Sequence, residues 1–113
     1  MLIYKIFRRP EWEAFAAQGA TDGAPIDLAD GYIHFSTAAQ APETAAKYFA
    51  GVEGLVLVAV EVDRLGTDLK WEPSRGGALF PHLYRALDAT DVAWSAPLPL
   101  GPGGGHQFPA AMA

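Results

Sequence analysis

Leu55-Val56-Leu57-Val58-Ala59-Val60 decides the fold. The run is apolar at both parities and rich in valine, so it reads as a strand covered on both faces rather than one with a wet side. It is far shorter than the roughly 20 residues a membrane span needs. We predict a central strand over residues 55 to 62, and the rest of the chain must supply a layer for each of its faces.

Working outward toward the N-terminus, residues 2 to 7 read as a second strand of aromatic and β-branched residues. Pro10 opens a helix that continues over residues 11 to 18, with Trp12, Phe15 and Ala16 at buried-face spacing and Gly19 as its C-cap. Residues 20 to 30 read as a loop anchored by Ile26 and Leu28. A short strand follows over residues 32 to 35. Thr37-Ala38-Ala39-Gln40 fits a capping box for a helix that ends near Ala50, with Ala45, Tyr48 and Phe49 buried and Gly51 as the stop.

Downstream, residues 69 to 72 form a short strand with Leu69 and Trp71 inward. Residues 73 to 79 form a loop. Residues 80 to 87 fit either one helical turn or a strand. A last strand covers residues 92 to 95, with Pro97 and Pro99 marking an edge. Two early helices and short later connections exclude a doubly wound parallel sheet and give α+β. Residues 1 to 100 are expected to form one domain. Residues 101 to 113, opening Gly-Pro-Gly-Gly-Gly-His106, are expected to be an unpacked tail.

The chain has 113 residues, half of them apolar, and a formal net charge of -5. Its basic residues are scattered, which argues against an extended nucleic-acid surface. There are no cysteines, which removes disulfides, Cys-ligated zinc and a thiol nucleophile. The N-terminal stretch lacks the pattern of a secretory signal and no segment fits a membrane span, so a soluble cytoplasmic protein is expected. Nothing in the sequence sets the oligomeric state.

The candidate chemistry lies in three blocks. In Asp30-Gly31-Tyr32-Ile33-His34-Phe35-Ser36-Thr37, an extended backbone lines Tyr32, His34 and Ser36 on one face and Ile33 and Phe35 on the other. A phenol, an imidazole and a hydroxyl in a row either partner one another or face a pocket. Ser36 and Thr37 also precede a helix N-terminus, where caps and anions are both favoured. In Lys70-Trp71-Glu72-Pro73, Glu72 is either one half of a solvated Lys–Glu pair or a carboxylate at the rim of a cleft, usable as a base or as an acceptor for a sugar hydroxyl. In Phe80-Pro81-His82-Leu83-Tyr84, an extended backbone puts the two aromatics and His82 on one face, as a core plug or as a site wall. Arg75, in the glycine-bearing loop between these blocks, suits a phosphate or carboxylate. No paired His spacing supports a metal, and no Gly-x-Ser-x-Gly or phosphate loop occurs.

These three blocks, in this order over about residues 2 to 100, resemble the family named domain of unknown function 952. That family is grouped with the ADP-ribosyltransferase-like fold, a compact split α+β structure with two small sheets around a cleft. The resemblance implies NAD or a related nucleotide as ligand, and the absence of paired His spacing leaves no metal expected. By the same resemblance, His34-Phe35-Ser36 is similar to the His-x-Ser element that begins an NAD site, and Glu72 stands for the late glutamate that holds the nicotinamide ribose. Position 70 is Lys70, where the protein-modifying branch pairs that glutamate with Gln or Glu, so the resemblance implies a scaffold with a pocket more than a protein-modifying transferase. Three functions stay open. The first is a nucleotide-handling enzyme with Glu72 and His34 catalytic and Tyr32, Ser36, Thr37, Trp71, Arg75, His82 and Tyr84 binding ligand. The second is a non-catalytic module for a small ligand, and the third is a structural domain whose aromatic and histidine clusters only lock the core.

Overall fold

The computed structural model describes residues 1–112. In chain order the elements are β1 (Leu2–Phe7), α1 (Arg9–Gln18), β2 (Ala20–Thr21), α2 (Pro25–Asp30), β3 (Ile33–His34), α3 (Ala41–Tyr48), β4 (Leu55–Glu61), β5 (Leu69–Pro73), β6 (Leu79–Leu83), β7 (Leu87–Asp88) and β8 (Val92–Leu98), joined by short 3-10 turns. The apolar run is β4, the centre of an antiparallel sheet in the order β1-β4-β8. Its parity explains why no position from Leu55 to Val60 is polar. Val56, Val58 and Val60 face one cluster with Ile3, Phe7, Phe15, Ile33 and Leu83. Leu55, Leu57 and Ala59 face another with Tyr4, Ile6, Ala45 and Leu98. Burying Leu55 and Leu57 completely contributes about 1.5–3 kcal/mol each. Pro97 lies on the edge strand β8, where a missing ladder donor is tolerated.

A second antiparallel sheet has the order β3-β6-β5, and β2 pairs with β7 as a small ribbon. Besides sharing that core, the two larger sheets are joined through the backbone where Tyr4 and Ser36 exchange both hydrogen bonds, each 2.8 Å long. The mixed α/β architecture follows the α+β expectation, with three α-helices among the described residues where about two were expected.

The additional helix is α2, in the stretch read as a loop. Pro25 occupies its first turn, and the Ala24 N–H donates to Asp27 Oδ2 at 2.7 Å. Gly31 closes it at φ 84°, a left-handed cap that suits glycine. The anchors also differ: Ile26 and Leu28 are 59% and 63% exposed, whereas Asp27 is buried. A six-residue helix shows too little periodicity to be read, and this one is held by a carboxylate rather than an apolar stripe.

Three further expectations need correction. Trp71 is exposed rather than inward, because β5 is an edge strand that turns Glu72 toward β6. Ala16 is exposed and Tyr48 is 56% exposed, while Phe15 and Ala45 carry the buried faces of their helices. The C-terminal segment packs. Gly101 N–H bonds to the Gly105 carbonyl at 2.7 Å and Leu100 bridges to His106, which returns Phe108 and Met112 to the Leu55-Leu57-Ala59 face. His106 Nε2 meets the Val52 carbonyl at 2.9 Å.

Candidate functional site

The sheets diverge on either side of the Tyr4–Ser36 link, and a cavity of about 550 Å³ opens there. Strand β1 contributes Tyr4, Lys5 and Ile6, and the other sheet contributes Tyr32, His34, Ser36, Phe80 and His82. Alternation accounts for this wall. Ile33 and Phe35 enter the core, so Tyr32, His34 and Ser36 must face the other way, as the spacing predicted. His34 stands directly opposite His82 on β6, and their rings meet edge-on at 5.3 Å between centroids. Tyr32 stacks on His82 at 4.2 Å and lies 5.2 Å from the Tyr84 ring.

His34 is bound at both ring nitrogens. Nδ1 lies 2.6 Å from Asp27 Oδ1 and Nε2 lies 2.9 Å from Asp30 Oδ2. A carboxylate only accepts, so the ring satisfies both contacts when both nitrogens donate. Asp27 also accepts from the His34 backbone N–H at 3.0 Å and pairs with Lys5 Nζ at 2.7 Å. Burial pushes the Asp27 carboxyl up, but the His34 hydrogen bond and the Lys5 charge outweigh it and hold the group at about 2. Burial pushes Lys5 the other way, below the usual range of an amine, against the pull of Asp27. Four donors converge on Asp27 against the single carboxylate that Lys5 meets, so the carboxylate is the end firmly held in its charged form. Asp27 had no motif to mark it among the neighbouring aspartates. The signal was indirect: a strand-borne Lys5 inside an otherwise apolar segment needs a buried partner.

His82 has a different environment. Its side chain is 3% exposed, and Nδ1 lies 2.8 Å from Glu72 Oε1. The same oxygen accepts from Tyr84 OH at 2.6 Å. These two hydrogen bonds, from Tyr84 first and His82 second, hold Glu72 below its ordinary range, and the Glu72 bond pushes the Tyr84 phenol up to about 12. With a hydrogen on Nδ1, the neutral ring presents a lone pair at Nε2. That nitrogen is buried and has no hydrogen-bond partner among the described residues.

The sequence-derived residues thus fall into two groups. Tyr32, His34, Ser36 and His82 line the cavity, while Glu72 and Tyr84 adjoin it through His82. Ser36 Oγ is paired with Thr44 Oγ1 at 2.9 Å. Thr37 makes the reciprocal capping-box bonds, its N–H donating to Gln40 Oε1 at 3.0 Å and its Oγ1 accepting from Gln40 N–H at 3.2 Å, but these close the turn before α3, whose N-cap is Gln40. Trp71 does not line the cavity. The Arg75 side chain lies outside the described residues. Lys5, Arg8, Asp27 and Asp30 belong to the site and were not anticipated. No group of three or more His, Asp or Glu side chains among the described residues is arranged to hold a metal ion. No helix among them is long and apolar enough to cross a membrane.

Solved structures of a protein from Caulobacter crescentus resemble nearly all of this chain. The crystal structure of protein CC0527 from Caulobacter crescentus is 54% identical, with a TM-score of 0.93 over 99% of this chain and 98% of that one. The solution NMR structure of CC0527 is 57% identical, with a TM-score of 0.85 over 94% and 91%. No curated protein matches. The family model described as "Protein of unknown function (DUF952)" matches residues 6–95, and the chain belongs to that family.

Proposed function

We propose that the cavity binds a nucleotide-like small molecule, with NAD and its ADP-ribose relatives as the leading candidates, and that His82 acts on it as an acid–base group. One observation carries the reading: His82 is held at Nδ1 by Glu72 while its buried Nε2 is left without a partner in the wall of a cavity. An orphaned buried acceptor costs about 1–3 kcal/mol, a cost that a ligand hydrogen bond would remove. The volume lies in the range of small-molecule sites. Tyr4, Tyr32, Phe49 and Phe80 supply aromatic surface for a planar ring, and Arg8 supplies a cation. The split sheets around the cavity support an ADP-ribosyltransferase-like scaffold, and a ligand of this class suits a cytoplasmic protein.

In this reading an acceptor hydroxyl or water loses its proton to His82 Nε2 as its oxygen bonds to the ribose carbon. The C–N glycosidic bond breaks and its electron pair leaves with the base. Glu72 stabilises the resulting imidazolium, so it is a positioning residue that acts through His82. His34, bound at both ring nitrogens and edge-on to His82, is a positioning residue that keeps that ring in place.

The Tyr32 stack favours a second reading. It covers His82, which suits a binding module in which no chemistry follows. Thermal shift with NAD, ADP-ribose and AMP, followed by chromatography of the recovered NAD, tests both. A raised Tm with turnover that His82→Gln abolishes supports the enzyme. A raised Tm with NAD recovered unchanged supports the module. No shift with any of the three overturns the nucleotide reading.

A further inference from the structure

The two carboxylates on His34 are not equivalent. Asp27 is fully buried and fixed by four hydrogen-bonded contacts. Asp30 has a side chain that is 40% exposed, and His34 is its one ion-pair partner among the described residues. It is the last residue of α2 and precedes Gly31, whose left-handed backbone leaves open space around it. Asp30 and His34 both line the cavity, as do Lys5 and Arg8. Asp27 therefore orients the ring from below, and Asp30 occupies the ring's outward donor from a solvated, easily displaced position.

We propose that His34 Nε2 is the seat of a ligand oxyanion of the phosphate class, and that Asp30 is a resident competitor that the ligand displaces. This rests on the cavity being a ligand site. The exchange is one acceptor for another at the same N–H, so His34 stays fully bonded in both states. With Asp30 turned outward, the outward N–H of His34 is left open in a wall that also holds Lys5 and Arg8, whose own partners are Asp27 and Glu11, and an added anion replaces the charge that left. The carboxylate leaves cheaply because water replaces its one partner, whereas Asp27 would strand Lys5 and two backbone N–H groups.

The test reverses the usual sign of a binding-site substitution. Asp30→Asn should bind inorganic phosphate and AMP more tightly than the wild type, by about fivefold or more for removal of one competing charge near a surface site. Adenosine, which lacks the oxyanion, should bind both proteins equally. The gain should vanish in Asp30→Asn combined with His34→Gln. Equal or weaker phosphate binding by Asp30→Asn overturns the proposal. A gain that survives the loss of His34 overturns it as well. The nucleotide reading fails separately: if phosphate gains affinity in Asp30→Asn while neither adenosine nor AMP binds, the oxyanion seat stands and the nucleotide does not.

Discussion

Replacing Asp27 by Asn should be the most damaging single polar change in the chain. The side chain is completely buried and meets Lys5 Nζ at 2.7 Å, His34 Nδ1 at 2.6 Å, the Ala24 N–H at 2.7 Å and the His34 N–H at 3.0 Å. An amide of the same shape keeps one acceptor oxygen and turns a donor toward these donors. Lys5, 7% exposed, is left without a counter-charge. Breaking a buried pair at one end costs about 3–5 kcal/mol, a large share of the roughly 5–15 kcal/mol of a typical domain. Linkage gives a second figure from the same contacts. A carboxyl held at about 2 instead of its ordinary 3.8 stabilises the fold at neutral pH by about 2 kcal/mol, at ~1.36 kcal/mol per pH unit. Because the folded value is depressed, this contribution is whole above pH 3.8 and is lost as pH falls toward 2. Urea unfolding at pH 7 should show a midpoint drop equivalent to about 3 kcal/mol with an unchanged slope. The double substitution with Lys5→Met should cost less than the sum of the singles by about 2 kcal/mol. A loss below about 1 kcal/mol, or simple additivity with Lys5→Met, would refute the account of this cluster.

Other consequences can be checked on the same protein. Gly31→Ala forces a side chain into φ 84°, and thermal unfolding should register a loss of about 1 kcal/mol. Tyr84→Phe removes the largest of the hydrogen bonds that hold Glu72 down, so carboxyl-carbon NMR titration should show the Glu72 midpoint moving up toward its ordinary value. Ending the chain after Leu100 removes Phe108 and Met112 from the Leu57 face and should lower stability by about 2 kcal/mol, from partial burial of two large side chains.

What could be read from the sequence followed periodicity. Strand β4 was legible because both of its parities are apolar, and the wall of Tyr32, His34 and Ser36 was legible because Ile33 and Phe35 claim the core side. The joining of this wall to His82 depends on strand register, which pairs residues nearly fifty positions apart and leaves no local trace. Asp27 was hidden because a buried carboxylate and a surface one look alike in a segment that also holds Asp22 and Asp30. Ile26 and Leu28 misled for the converse reason: their apolar character suggested anchorage, yet a short helix fixed by Asp27 leaves them in solvent. The glycines of residues 101 to 105 suggested a loose tail, but they build the turn that brings Phe108 back to the sheet.

The central claim concerns one nitrogen. A long-range proton–nitrogen NMR spectrum of the His82 ring at neutral pH, recorded with and without ADP-ribose, addresses it directly. The account predicts a hydrogen on Nδ1 facing Glu72, a lone pair on Nε2, and an Nε2 resonance that moves when ADP-ribose is added. A hydrogen on Nε2 with Nδ1 bare, or a ring spectrum that saturating ADP-ribose leaves unchanged, would contradict it.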